Sequence, residues 1–305
     1  MSIEADAGTL PAAPAPASQT RPFAWSLRRE IWENRSIWIA PLSAAGFVLF
    51  GFSLSLMRIS QTLQKISKMP AAAQAGFRLI PFGIAAGAVI VTTVIVAVFY
   101  CLGALYNERR DRSILFWKSM PVSDATTALA KATVPMLVLP LVGFLVICAT
   151  QLVMLLLDTG AYAAHGQDPA LLWTSIPLFR IWWLLFYGIV TLALWHAPVY
   201  AWLLVLSAWA RRGPFLWAVL PPLAISVVEK LAFDTNWFFD LLKYRLGGAV
   251  HEAFVDFPHH EKLSFRWPEP DPLKFFSSPG LWIGLVIAAA LFALAVWLRR
   301  RREPM

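Results

Sequence analysis

The sequence predicts an all-α integral membrane protein with six transmembrane helices. Two accessory helices are expected, an N-terminal amphipathic helix and a cytoplasmic helix between spans 2 and 3. A long extracytoplasmic segment is expected between spans 5 and 6. Three observations lead there. Only 14% of the 305 residues are charged and 58% are hydrophobic, whereas soluble domains carry about 25% charged residues. Mean hydropathy is +0.61, and the apolar residues gather into runs about as long as a bilayer is thick. The basic residues, which give a formal charge of +8, flank those runs as orientation signals do, so nucleic acid is not read as a partner.

Residues 1–22, rich in Ala and Pro, are expected to form a disordered tail with no signal-peptide core. Residues 23–37 read as an interfacial helix. On a helical wheel Phe23, Ala24, Leu27 and Ile31 share one sector, while Arg28, Arg29, Glu30 and Glu33 lie mostly elsewhere, and Trp25 and Trp32 suit a headgroup boundary.

The six-span domain covers residues 38–298. Crossing the hydrocarbon core of roughly 30 Å takes about 20 mostly apolar residues. Five runs meet or nearly meet that length: residues 38–57, 79–104, 134–157, 181–209 and 280–298. A sixth, residues 214–228, is short and carries Pro221-Pro222, which should kink or interrupt it. The fourth run would be about 43 Å long at 1.5 Å per residue, one tilted or kinked helix rather than two.

Parity and charge favour six crossings with both termini cytoplasmic. Arg21, Arg28, Arg29 and Arg35, then Arg109, Arg110, Arg112, Lys118 and Lys131, then Arg211 and Arg212, and the tail 299–305 with Arg299 to Arg302 all fall on one side. Four basic residues in the first opposite loop (Arg58, Lys65, Lys68, Arg78) weaken that bias. The segment 229–279, which starts with Phe233, Trp237, Phe238 and Phe239, suggests short helices in or near the outer interface.

Between spans 2 and 3 runs Tyr106-Asn107-Glu108-Arg109-Arg110-Asp111-Arg112-Ser113-Ile114-Leu115-Phe116-Trp117-Lys118-Ser119-Met120-Pro121-Val122-Ser123-Asp124. Glu108 to Arg112 form a mixed-charge turn, and Ile114 to Met120 can make two helical turns exposing Phe116 and Trp117 beside Lys118. Pro121 stops that helix, and Ser123 or Asp124 caps the next. A short rigid helix held between two membrane helices is a lever that a soluble partner can grip. A solvated, topology-fixing loop is the competing reading of the same residues.

This run, with Lys131 after it, resembles the signature of ABC-2-type transporter permeases, the membrane subunits of ATP-driven exporters. The resemblance implies that Glu108, Arg109, Arg110, Asp111, Arg112, Ile114, Phe116, Trp117, Lys118, Pro121, Ser123 and Asp124 belong to a coupling segment that docks on an ATPase subunit. It places the interfacial helix, with Trp25, Leu27, Arg28, Arg29, Ile31 and Trp32, beside that segment. It further implies two ATPase subunits, a second permease subunit, identical or related, and a place in the plasma membrane, the bacterial inner membrane. The chain has no Gly-x-x-x-x-Gly-Lys-Ser/Thr loop, so it is expected to be non-catalytic, with ATP and Mg bound by the partner.

Polar groups inside the spans are candidates for a pathway because burying them costs free energy unless they are paired or wet. His196, Gln151 and Glu229 are the chief ones; Gln151 serves an interhelical hydrogen bond equally well. No metal site is expected. His251-Glu252 lacks a second His at position 255, which is Val, and adjacent His259 and His260 diverge in direction. Cys101 and Cys148 sit in apolar runs and read as small hydrophobes. A proton-coupled secondary transporter and a non-transporting membrane scaffold or sensor are the alternatives in function; cargo is not legible.

Overall fold

A computed structural model describes residues 21–119, 122–255 and 267–301, without the side chains of residues 71–72 and 117–119. Most of the tail, Pro121, His259, His260 and Arg302 therefore lie outside the described residues, as do the side chains of Trp117 and Lys118.

All regular elements among the described residues are helices, and one antiparallel bridge pairs Phe254 with Pro270. In order it forms α1 (Pro22–Glu33), α2 (Ser36–Leu56), α3 (Ile59–Ser67), α4 (Ala71–Ala104), α5 (Tyr106–Arg110), α6 (Ser113–Ser119) and α7 (Asp124–Thr133). A π-helical turn, Val134–Val138, joins α7 to α8 (Leu139–Ala164). Then come α9 (Ala170–Ser175), α10 (Leu178–Trp209), α11 (Pro214–Phe233), α12 (Trp237–Ala253), α13 (Pro272–Ser277) and α14 (Pro279–Arg301). Six of the helical stretches are long and apolar enough to cross a membrane. They coincide with the six runs read from the sequence, and an integral membrane protein is the plain consequence.

The boundaries differ where helix propensity extends past the apolar run. α4 begins at Ala71 rather than Leu79 because Ala71 to Phe77 continue as helix from the Pro70 N-cap. The Pro221-Pro222 pair does not interrupt α11, which continues to Phe233. In a non-aqueous surrounding the remaining backbone bonds hold such a helix together. The basic loop expected after the first span contains the helix α3, whose Ile59 and Ile66 are buried, Ile59 in the core it shares with α2, α4, α8 and α9. Beyond Lys131, Pro135 would clash with a regular helical carbonyl four residues back, and the wider π turn accommodates it.

α10 is the central helix and packs along α14 most extensively, with α4, α8 and α12 around it. One core joins α2, α4, α8, α10 and α14, and a second lies among α2, α3, α4, α8 and α9. A third packs Trp195 of α10 against Ala249 and Ala253 of α12, Phe275 of α13 and Leu281 of α14. The segment after α11 is thus not merely interfacial: α12 buries Gly248, Ala249 and Ala253 against the bundle. α11, by contrast, buries none of its residues. Large apolar side chains such as Phe47, Met57 and Leu231 point outward from the spans, as lipid permits and water does not.

Candidate coupling site at one end of the bundle

At the end of the bundle where α1 and the last turn of α14 meet, three carboxylates and three cations lock together. Glu30 of α1 accepts from Lys131 Nζ of α7 at 2.8 Å, from Arg29 Nη2 at 2.8 Å and from the Tyr100 hydroxyl of α4 at 2.8 Å. Glu108 of α5 accepts from Arg29 Nη2 at 3.1 Å and from Arg299 Nη1 of α14, and lies 3.1 Å from Lys131 Nζ. Arg299 Nε donates to Asp124 Oδ1 of α7 at 3.0 Å. Glu30, Lys131 and Arg299 are 1%, 3% and 3% exposed. Buried charge is tolerable only when paired and hydrogen-bonded; these six charges balance, and a fourth carboxylate, the half-exposed Glu33, lies 3.6 Å from Arg29 Nε at the edge of the cluster.

A second lock sits beside the first. Where α4 gives way to α5, the amides of Leu105 and Tyr106 both donate to Ser207 Oγ of α10, each at 2.9 Å. Arg109 reaches back to donate to the carbonyl oxygens of Ala208 and Ala210. Those carbonyls end α10, where backbone acceptors lack helical partners and the helix dipole favours a cation. The root of the loop is therefore fixed to the central helix as well as to α1, α7 and α14.

Between these roots hangs α6. Arg112, at φ 56°, turns the chain from α5 into α6 in the left-handed region, at a cost of about 1–2 kcal/mol for a residue other than glycine. Ile114 is fully buried and pins α6 to the body, while Leu115 and Phe116 project outward, 57% and 60% exposed. Arg110 and Asp111 pair with one another at the surface, 3.0 Å apart. Ser123, not Asp124, caps α7, accepting from the Thr126 amide at 3.1 Å. Asp124 is used by Arg299.

This arrangement corrects two expectations about position. Glu108 and Arg109, expected in a mixed-charge turn, lie on the helix α5 and face inward, because each finds partners across the fold that solvent would otherwise have to supply. The amphipathic helix α1 turns part of its polar face toward the protein: Glu30 is its buried residue, whereas Trp25 and Trp32 are exposed and Arg28 stacks on both rings. Leu27 packs against the main core. Tyr100 and Ser207 carry no signal in the sequence, and Glu30, Lys131 and Arg299 stand out there only as a wheel position, the close of the permease-like run and a topology signal, not as one buried cluster.

The three pathway candidates are separated, not gathered. Gln151 of α8 is buried and donates to the Phe82 carbonyl of α4 at 3.1 Å while accepting from Trp182 Nε1 of α10 at 3.0 Å, an interhelical staple. His196 has Nδ1 2.9 Å from the Leu192 carbonyl and Nε2 3.2 Å from that of Leu246 in α12. Glu229 accepts from the amides of Trp237 and Phe238 at 2.7 and 2.9 Å and from Thr235 Oγ1 at 2.8 Å, so it caps α12. No cluster of His, Cys, Asp and Glu that could hold a metal ion occurs among the described residues.

Burial pushes the Glu30 carboxyl up, but the Lys131 charge and hydrogen bonds from Lys131, Arg29 and Tyr100 outweigh it and hold Glu30 below its usual range. A depressed folded-state value contributes stability above the unfolded value, and that stability is lost as pH falls through the folded one. Glu33, shifted upward first by burial, protonates earlier but is half exposed and weakly held. Amide hydrogen exchange of α1 in detergent, corrected for its intrinsic pH dependence, should therefore rise only below about pH 4, the ordinary carboxylate range. Protection lost between pH 7 and 5 would show that Glu30 is not held ionised. Comparison with protein-family models, curated proteins and solved structures finds no match.

Proposed function

We propose that the chain is the membrane-spanning subunit of an ATP-driven exporter of the ABC-2 permease type, energised by a separate ATPase chain docked on α6. One observation carries the reading. α6 is a seven-residue helix whose two roots, α5 and α7, are tied by buried ion pairs to α1 and α14, and by Arg109 to α10. A force applied at Leu115 and Phe116 is then delivered to several spans through paired charges rather than absorbed in a slack loop. A merely solvated connector needs no such bracing. On this reading Phe116 and Trp117 fill an apolar groove of the ATPase, ATP and Mg stay on that partner, and two permease subunits share the path across the plasma membrane with their termini on the cytoplasmic side.

The test is purification from the native host followed by ATPase measurement in reconstituted vesicles. Wild type is expected to co-elute with a protein carrying a phosphate-binding loop. Phe116→Ala with Trp117→Ala should reduce that association about tenfold or more, as loss of two aromatic interface anchors does, while leaving thermal unfolding unchanged. Retention of full coupling by the double variant, or purification with no ATPase, removes the reading.

A further inference from the structure

Away from the charge lock, a groove of about 480 Å³ runs between α4 and α10. Gly83 and Ile90 of α4 and Leu184 and Gly188 of α10 form its walls, Phe254 and Trp267 close its rim, and no carboxylate lines it. From Leu79 to Ile90 on α4, and from Ile181 to Leu192 on α10, it follows both helices for about 16 Å at 1.5 Å per residue. That is close to one leaflet of a hydrocarbon core about 30 Å thick. The floor is kept in place by Gln151, whose amide is already engaged with Phe82 and Trp182, so no polar group there demands a polar ligand.

The rim is different in kind. Arg180, at the start of α10, lies with its guanidinium carbon 4.9 Å from the Trp267 ring centroid. It is exposed and has no ion pair with a carboxylate among the described residues. A guanidinium stacked on an aromatic face keeps its in-plane N–H groups directed outward, a geometry that fits a phosphate. Apolar walls of one-leaflet length beneath an exposed guanidinium describe an anionic amphiphile entering sideways from lipid. We propose that this groove seats one acyl chain of an anionic phospholipid from the surrounding bilayer, with its phosphate on Arg180.

The proposal does not depend on the exporter reading; an unaltered ATPase partner and a failed lipid test are compatible, and so is the reverse. Two variants probe it. Arg180→Ala removes the cation at an exposed position. Gly83→Leu fills the groove, and since a Cβ at Gly83 meets nothing within 4 Å the fold has room for it, which an unchanged unfolding midpoint verifies. Delipidated protein in detergent is titrated with dioleoylphosphatidylglycerol or dioleoylphosphatidylcholine and read by native mass spectrometry. Wild type should retain one phosphatidylglycerol in preference to phosphatidylcholine. Arg180→Ala should lose about tenfold in affinity for the anionic lipid alone, and Gly83→Leu should lose retention of both. Equal binding of the two lipids by wild type, or retention indifferent to Gly83→Leu, overturns the proposal. So does a dimer that Gly83→Leu dissociates without changing the bound lipid, which would give the groove to a second copy.

Discussion

Replacing Lys131 by Met should destabilise the protein by about 3 kcal/mol, toward the lower end of what removing one partner of a buried ion pair costs. Met nearly matches Lys in length, so packing is retained and the loss is electrostatic. Lys131 Nζ lies between Glu30 and Glu108, 2.8 Å from one carboxylate and 3.1 Å from the other. Without it, Glu30, Glu108 and Asp124 face only Arg29 and Arg299. One negative charge is then left without a partner on side chains that are themselves buried, although the cluster borders a cavity of about 700 Å³ that water can enter. The lower end applies because Arg29 still bonds both Glu30 and Glu108.

The partner variant makes this decisive. Adding Glu30→Gln to Lys131→Met restores neutrality, keeps a hydrogen-bonding group at position 30, and should recover more than half of the loss. The double-mutant cycle thereby separates charge imbalance from lost volume. Unfolding in detergent measures all three variants. A Lys131→Met protein within about 1 kcal/mol of wild type, the size of a surface pair, would mean that the cluster is wetter than its geometry implies.

The six spans could be read from the sequence because hydropathy acts on each residue separately and is summed along a run. Nothing outside residues 181–209, for instance, is needed to see that they suit lipid. The charge lock could not be read the same way. Glu30 and Lys131 lie 101 positions apart and Glu108 and Arg299 lie 191 apart, so their pairing is set by how α1, α5, α7 and α14 converge.

Periodicity was correct for α1 but did not say which face meets protein. The wheel that gathers Leu27 and Ile31 on one side is equally satisfied when Glu30 turns inward to Lys131. Proline misled for a related reason. Pro221-Pro222 do remove donors, yet in a helix surrounded by lipid there is no water to compete for the carbonyls they free. Ser123 and Asp124 were equivalent as caps in the sequence, and only the position of Arg299 assigns Asp124 elsewhere.

Replacing Arg299 by Met should cost about 3–5 kcal/mol, the larger of the two losses, because this side chain serves two acids on two helices. Its Nη1 bonds Glu108 of α5 and its Nε bonds Asp124 of α7, and the guanidinium is a planar fork that an ammonium cannot imitate. Arg299→Lys should therefore rescue only part of the loss, since one Nζ cannot reach along both bonds. The consequence is also mechanical. α14 packs along α10, but Arg299 ties its last turn to the two roots of α6, so cutting it frees one strap of the proposed lever while Arg109 still holds α5 to α10. Stability and coupling then separate. If α6 drives the spans through this lock, Arg299→Met lowers ATP-dependent export more than it lowers binding of the proposed ATPase, whose docking is assigned to the exposed Leu115 and Phe116. Equal loss of both would instead mean that Arg299 only holds the surface of α6 in shape, and full export with a measurably weakened fold would remove the lock from the coupling path altogether.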